Sequence, residues 1–213
     1  SLKRSDYKLE GPLPSSVGVV VANQVFIERT GLPQVLSNRL IRLAAFQNPE
    51  FRRAQAMRMP VWDKPQVICC ADVHPQHIAL PRGCLDAVSG FLGSNRVHMR
   101  KQDLRSAGQP IDATFNGSLR DDQQEAVDAM LRHDIGVLCA PTAFGKTVVA
   151  AALIASRGVS TLVLVHRAEL LRQWQERLTA FLALPSGVPG LIGGGRERLC
   201  GLVDVAVMQS LIR

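Results

Sequence analysis

The sequence is poor in aromatic residues. Phe, Trp and Tyr make up only 5% of 213 residues, with one Tyr and two Trp. No stripe of them recurs at a spacing that would stack successive bases, so a single-strand-reading platform is not expected. No apolar run approaches the ~20 residues that cross a bilayer. The N-terminal stretch has no signal-peptide apolar region, so no membrane partner is expected and a cytoplasmic setting is. Cysteine is sparse and irregular: Cys69, Cys70, Cys84, Cys139 and Cys200 are odd in number and share no spacing. That excludes a disulfide scaffold and fits reduced thiols. A zinc site on Cys69, Cys70, His74 and His77 is disfavoured too. Adjacent cysteines do not readily serve one tetrahedral ion, and Pro75 separates the histidines. Core cysteines and surface histidines are the simpler expectation. The chain has no internal repeat and no low-complexity tract.

Apolar residues are 46% of the chain. Ala, Leu and Val carry them, as in α/β proteins, and the length suits one large or two small domains. The net charge of +7 is lopsided. Residues 1–118 hold 15 Lys and Arg against 9 Asp and Glu, whereas 119–213 hold 10 against 9. The basic excess lies in the first half and points to an anionic partner there.

Residues 1–16 are charged, then Gly- and Pro-containing, and read as an extended lead-in. Val17 to Ile27 reads as a strand interrupted near Asn23. The spacing of Val35, Leu36, Leu40, Leu43 and Ala44 predicts a helix over 34–46, with Arg39 and Arg42 on its polar face. Asn48-Pro49 predicts the capped start of a short helix carrying Arg52 and Arg53. Strands at 66–71 and 77–80, a helix from Cys84 to Leu92, and strands at 95–99 and 111–115 follow. Asn116-Gly117 reads as a turn and the domain boundary, leaving 17–116 as a small, basic α+β domain. Were its two arginine-bearing helices adjacent, Arg39, Arg42, Arg52, Arg53 and Arg58 would form one cationic surface, extended by Lys101 and Arg105. Such a surface binds phosphates without reading sequence.

From 117 the pattern changes. Arg120 to Arg132 reads as a helix opened by Asp121 and Asp122, at the positive end of its dipole. The apolar run Ile135 to Cys139 reads as a buried strand, and Val148 to Ser156 as a helix. Between them lies a phosphate-binding loop of Walker A type, with Ala140 where the common pattern has its first Gly. Pro141, Thr142, Ala143, Phe144 and Gly145 form its cradle. Backbone N–H groups there and at the helix N-terminus point at an anion. Lys146 reaches the β- and γ-phosphates, and the Thr147 hydroxyl holds Mg²⁺. Thr161–Val165 and Val203–Val207 are unbroken apolar strands, suited to a parallel sheet covered on both faces. A helix from Ala168 to Leu182 lies between them, Leu191-Ile192 is a short strand in the loop 187–195, and another helix starts at Met208. This alternation predicts an α/β fold with βαβ units in a doubly wound parallel sheet.

Four stretches occur in fixed order: Leu119 to Gln123, the loop, Leu162 to Trp174, and Val203 to Leu211. The series resembles the first RecA-like motor domain of superfamily 2 DNA helicases and translocases, nearest to the XPB-like or phage UvsW-like branch. The resemblance covers about residues 117–213. It implies that Gln123 reads the adenine edge, its amide offering a donor and an acceptor, with Arg120 near the base or ribose. It implies that Lys146 and Thr147 serve catalysis, with ATP and Mg²⁺ as cofactors. His166, Arg167, Gln209 and Ser210 end parallel strands and are implied to contact the nucleic-acid backbone. Leu171 and Trp174 stand at helical spacing and read as core. This branch carries DNA-engaging modules before the motor, the place that 17–116 fills, so the implied partner is DNA, duplex or branched.

Two departures stand out. Ala143 occupies a position where many of these enzymes have Gly or Ser. Such motors also use an Asp-Glu pair to hold Mg²⁺ and position water, and an arginine finger from a second RecA-like domain. The chain contains no Asp-Glu dipeptide, and Asp204 has Val on both sides. The expectation is an N-terminal fragment of an ATP-dependent helicase or translocase, with nuclease or other domains beyond residue 213. By itself it would bind nucleotide weakly and hydrolyse little. Two alternatives stay open: the motor subunit of a restriction or DNA-defence system, and a non-catalytic nucleic-acid-binding protein with a vestigial nucleotide site.

Overall fold

A computed structural model describes residues 9, 11–185 and 187–212. The lead-in read over 1–16 falls largely outside them. The chain divides into two compact units, Ser1–Ser106 and Ala107–Arg213. The division comes ten residues before Asn116-Gly117, because 107–116 is bonded to the second unit. Ile111 N–H donates to the Gly158 carbonyl (2.9 Å), Ser160 N–H to that of Gln109 (2.7 Å), and Asn116 N–H to that of Phe181 (2.7 Å).

In the first unit, β1 (Ser16–Val21) and β2 (Val25–Glu28) form a hairpin, turned at Ala22–Gln24. Val17, Val19 and Val21 face inward, and the residues between them lie on the other face, as the period of two requires. There follow α1 (Gln34–Leu43), β3 (Ala45–Gln47), α2 (Pro49–Ala56), β4 (Val67–Cys69), β5 (Asp72–Val73), β6 (His77–Leu80), α3 (Leu85–Ser94) and β7 (His98–Asp103). The sheet order is β5-β6-β2-β1-β7, and β1 runs parallel to β7. Leu36 and Leu40 of α1 and Val88, Phe91 and Leu92 of α3 complete the core.

Three expectations shift here. The first helix ends at Leu43 rather than Phe46, since Ala45–Gln47 pairs with β4 instead. The strand expected at 95–99 moves to His98–Asp103, because Asn95 and Arg96 turn the chain and Arg96 has φ 58°. Cys69 and Cys70 are exposed, not core. The Asn48 cap forms as read: its side chain accepts from Glu50 N–H at 3.0 Å and donates to the Pro65 carbonyl at 2.9 Å.

The second unit runs β8 (Thr114–Phe115), α4 (Asp121–Leu131), α5 (Lys146–Arg157), β9 (Thr161–Val165), α6 (Ala168–Phe181), β10 (Leu182–Ala183), β11 (Gly190–Gly193), β12 (Arg196–Arg198) and β13 (Val203–Val207). Its sheet order is β12-β11-β13-β9, parallel except for the β11–β12 pair. Helices α5 and α6 bury Ala151, Ile154, Leu171 and Leu178 against Val203, Val205 and Val207, with Trp174 packed alongside. Met208–Ser210 makes a single 3-10 turn, not a longer helix.

The apolar run Ile135 to Cys139 is not a strand: it joins no ladder, Val137 is 92% exposed, and Cys139 is exposed. A β-prone run becomes a strand only when a neighbour takes its N–H and C=O groups, and among the described residues none does. β9 is covered on one face only, with Leu162 and Leu164 each 51% exposed. This sets a stability contrast. Leu178→Ala, at a fully buried site, should cost about 2–5 kcal/mol, and Leu162→Ala under about 1 kcal/mol. Urea unfolding of the two variants checks it, and equal midpoints would contradict the assigned burial.

Candidate nucleotide and nucleic-acid site

The phosphate loop is entered through two left-handed residues, Ala143 (φ 64°) and Gly145 (φ 88°). Gly145 must be glycine on two counts. Its φ disfavours a side chain, and a Cβ there would meet Gln123 Nε2 at 2.5 Å. Ala143 carries the same backbone without glycine's freedom, which is where the sequence departs from Gly or Ser. Helix α5 then begins at Lys146 with no side-chain cap and no acidic residue in its first turn. By contrast α4 opens on Asp121 and Asp122. The positive end of α5 is therefore not neutralised by an acidic side chain of its own first turn. Val148 and Val149 N–H groups donate to the Gly145 carbonyl at 2.9 and 3.1 Å. Lys146 Nζ donates to the Pro141 carbonyl at 2.8 Å, folding the ammonium back over the loop. Pro141, Thr142 and Ala143 are exposed, and Phe144, Gly145 and Thr147 half-buried.

The Phe144 carbonyl ties the loop to α4. Gln123 Nε2 donates to it at 2.7 Å and the Arg120 guanidinium at 3.0 Å. Gln123 is 3% exposed, and its Oε1 also accepts from Arg120 N–H at 3.1 Å. Arg120 reaches Asp122 at 3.2 Å and lies 5.8 Å from the Phe144 ring centroid. The glutamine expected to face a base is thus engaged on both amide atoms by backbone.

The strand-end residues do converge. β9 and β13 are parallel neighbours with Val165 opposite Val207, so His166 and Arg167 follow one strand where Met208, Gln209 and Ser210 follow the other. Gln209 Nε2 donates to the His166 carbonyl at 3.4 Å. His166, Arg167 and Gln209 are exposed, and Ser210 is half-buried. Beside them a cavity of about 440 Å³ is lined by Glu169, Arg172, Gly193 and Gly194 among others. The sequence reading passed over these residues. Their signal was the triple glycine after Ile192, which lets backbone approach closely at a strand end.

In the first unit Arg39 and Arg42 line one cavity. Arg52 and Arg53 are exposed on α2 and are not part of its lining. Lys101 and Arg105 do not extend a free cationic surface. Both converge on Asp103, at 3.5 and 2.7 Å. Hydrogen bonds from Arg105 hold that carboxyl well below the usual carboxylate range.

With this geometry in hand, comparison with known proteins is informative. The family model described as type III restriction enzyme, res subunit, matches residues 116–199. The DNA 3'-5' translocase XPB2 of Sulfurisphaera tokodaii is 42% identical over 95 residues, covering 45% of this chain and 21% of that protein. The DNA 3'-5' helicase XPB of Mycobacterium tuberculosis is 37% identical over 95 residues, covering 45% and 17%. The Rad25 protein of Haloarcula marismortui is 34% identical over 191 residues, covering 80% and 31%. The chain thus spans between 17% and 31% of the length of these relatives. In structure it is similar to the UvsW helicase from bacteriophage T4, with a TM-score of 0.60 at 16% identity, over 92% of this chain and 76% of that one. That likeness concerns fold. The family model over most of the second unit and the XPB-type relatives at 34–42% identity support a superfamily 2 helicase or translocase of the XPB-like kind, and the likeness in fold to UvsW agrees with it.

Proposed function

We propose that this chain carries the ATP-binding part of an ATP-dependent DNA helicase or translocase. The observation that carries the reading is the start of α5, an uncapped helix N-terminus with Lys146 as its first residue and glycine at its entry. A helix N-terminus leaves four N–H groups without intrahelical partners, and a phosphate group satisfies them. The loop fits ATP with Mg²⁺ on this ground. No acidic side chain occupies the anion's place, and Lys146 is held only by a backbone carbonyl that it can leave. Bound ATP supplies a phosphoanhydride whose hydrolysis drives such motors.

On this reading Lys146 moves from the Pro141 carbonyl to the β- and γ-phosphates, and Thr147 takes the Mg²⁺. Gln123 and Arg120 hold the Phe144 carbonyl, and with it the loop from Pro141 to Gly145. The second amide hydrogen and second lone pair of Gln123 are what remain for an adenine edge. His166, Arg167, Gln209 and Ser210 track phosphates of the DNA. Arg39, Arg42, Arg52 and Arg53 add sequence-independent attraction in the first unit. A cytoplasmic setting is part of this reading, and among the described residues no helix is long and apolar enough to cross a membrane. A second reading, the motor subunit of a restriction system, is favoured by the description of the matching family model. ATP-dependent cleavage of DNA by the intact protein would select it.

Three outcomes follow for this chain. Lys146→Ala should weaken ATP binding about tenfold or more, the value of a charge-assisted hydrogen bond. Titration with a fluorescent ATP analogue reads this, and equal affinity removes Lys146 from the site. Gly145→Ala should weaken ATP binding as well and lower the melting temperature, because left-handed strain of about 1–3 kcal/mol is added to the clash with Gln123. A melting temperature at or above that of the parent refutes the cradle geometry. Duplex binding should fall steeply as salt rises. Affinity unchanged across a salt series counts against phosphate tracking.

A further inference from the structure

Three segments of the first unit meet at the C-terminal end of α1. Ala44 caps that helix, and its carbonyl accepts from Cys70 N–H at 2.9 Å. This contact continues the β3–β4 ladder by one residue, since Ala45 lies opposite Cys69. Facing residues of an antiparallel pair have Cα atoms about 4.5–5.5 Å apart. The preceding carbonyl, that of Leu43, is approached by Cys84 Sγ at 3.9 Å. Cys84 closes the 3-10 turn Arg82–Cys84 and leads into α3. Cys70 and Cys84 are therefore anchored on consecutive carbonyls, one peptide unit of about 3.8 Å apart. That places them within reach of a disulfide, which joins Cα atoms about 4.4–6.8 Å apart.

The two thiols differ in setting. Cys70 is exposed and Cys84 is half-buried. Burial pushes the Cys84 thiol up, and a neighbouring Cys70 thiolate pushes it further. An oxidant in solution meets Cys70 first, with Cys84 behind it to resolve the product. Cys69 precedes Cys70 at the end of β4, where the period of two turns neighbouring side chains to opposite faces.

We propose that Cys70 and Cys84 form a reversible disulfide that makes the first unit responsive to oxidation. The oxidant is a small-molecule disulfide, of which oxidised glutathione is the type. The Cys70 thiolate attacks one of its sulfurs, forming a mixed disulfide and releasing one small thiolate. The Cys84 thiolate then attacks the Cys70 sulfur, and the second small thiolate leaves. Two protein thiols are oxidised, one small disulfide is reduced to two thiols, and the two protons pass from the former to the latter. The new bond closes a ring over residues 70–84 that contains the β5–β6 hairpin, and ties the end of β4 to the start of α3. The Arg39 and Arg42 cavity is walled by Phe46 and Val67 of the β3–β4 ladder and by Phe91 of α3, so the cross-link holds those walls together. Disulfides in a reducing compartment are transient and sensing rather than structural. A thiol pair with one member at the surface suits that use. The proposal stands apart from the motor reading.

The test is mass spectrometry of the whole chain after incubation with oxidised glutathione, alkylation and digestion with trypsin. A product lighter by two hydrogens should form, with peptides 59–82 and 83–96 joined, and dithiothreitol should reverse it. Cys70→Ser should abolish the link and Cys69→Ser should keep it. Both positions are exposed, so neither change should unfold the unit. The first unit of the oxidised parent should melt about 10 °C higher than that of the reduced parent, as closure of a ring of this size entails. Cys70→Ser should show no such shift. Glutathione adducts alone, a link through Cys69, or a link between chains overturns the proposal and leaves the motor reading standing.

Discussion

The Phe144 carbonyl is the point on which the second unit's chemistry depends. The loop ahead of α5 passes through left-handed backbone at residues 143 and 145. For a non-glycine residue that conformation costs about 1–2 kcal/mol, and Ala143 bears it. Two donors from α4, Gln123 and Arg120, fix the carbonyl between those residues. Helix α4 is fixed in turn by Arg157 at the end of α5, whose guanidinium donates to the Met130 and His133 carbonyls at 3.4 and 2.9 Å. Val127, Val149 and Ala152 pack between the two helices, with Phe144 against them. Loop, α4 and α5 therefore form one closed set of constraints. A glutamine buried this deeply acts first on the loop, and any contact with a base passes through the hydrogen-bonding capacity that remains.

The parallel strands show how a sheet end becomes an exposed polar surface. Side chains within β13 are all buried, and the chain becomes exposed at Met208 and Gln209. The same happens along β9 at His166. Because the two strands are parallel and in register, these exits fall side by side, and Gln209 links them through the His166 carbonyl. At the opposite end of β13, Asp204 is buried by accepting from Cys200 and Gly201 N–H at 2.8 and 3.0 Å. Its carboxylate is spent on a turn. Position 204 is therefore structural, consistent with its isolation between valines.

Much of this was legible in the sequence where the governing interactions are local. The start of α2 followed from Asn48-Pro49, and β9 and β13 followed from unbroken apolar runs. The loop followed from Gly-Lys-Thr ahead of an Ala-rich helix. The misses share a cause, in that each depends on residues far away in the chain. The run Ile135 to Cys139 has strand composition but no partner for its backbone. Helix α1 stops early because Ala45–Gln47 pairs with residues about twenty positions later. The cavity around Phe46 was invisible for the same reason, since positions 39, 46, 67 and 91 share no periodicity.

Phosphate contacts and apolar contacts divide the work of recognition differently. On the proposed reading, groups such as Arg52, Arg53, His166 and Arg167 meet what every stretch of DNA presents, and contacts of that kind give affinity without choosing a position. A motor needs that indifference, because a tight preference at one step would stall it. The two kinds of contact also respond differently to conditions, because salt weakens the first and leaves the second largely intact. The charge is unequal along the chain, +6 over residues 1–118 and +1 over the rest, so the electrostatic share of any attraction to a polyanion falls mainly on the first stretch.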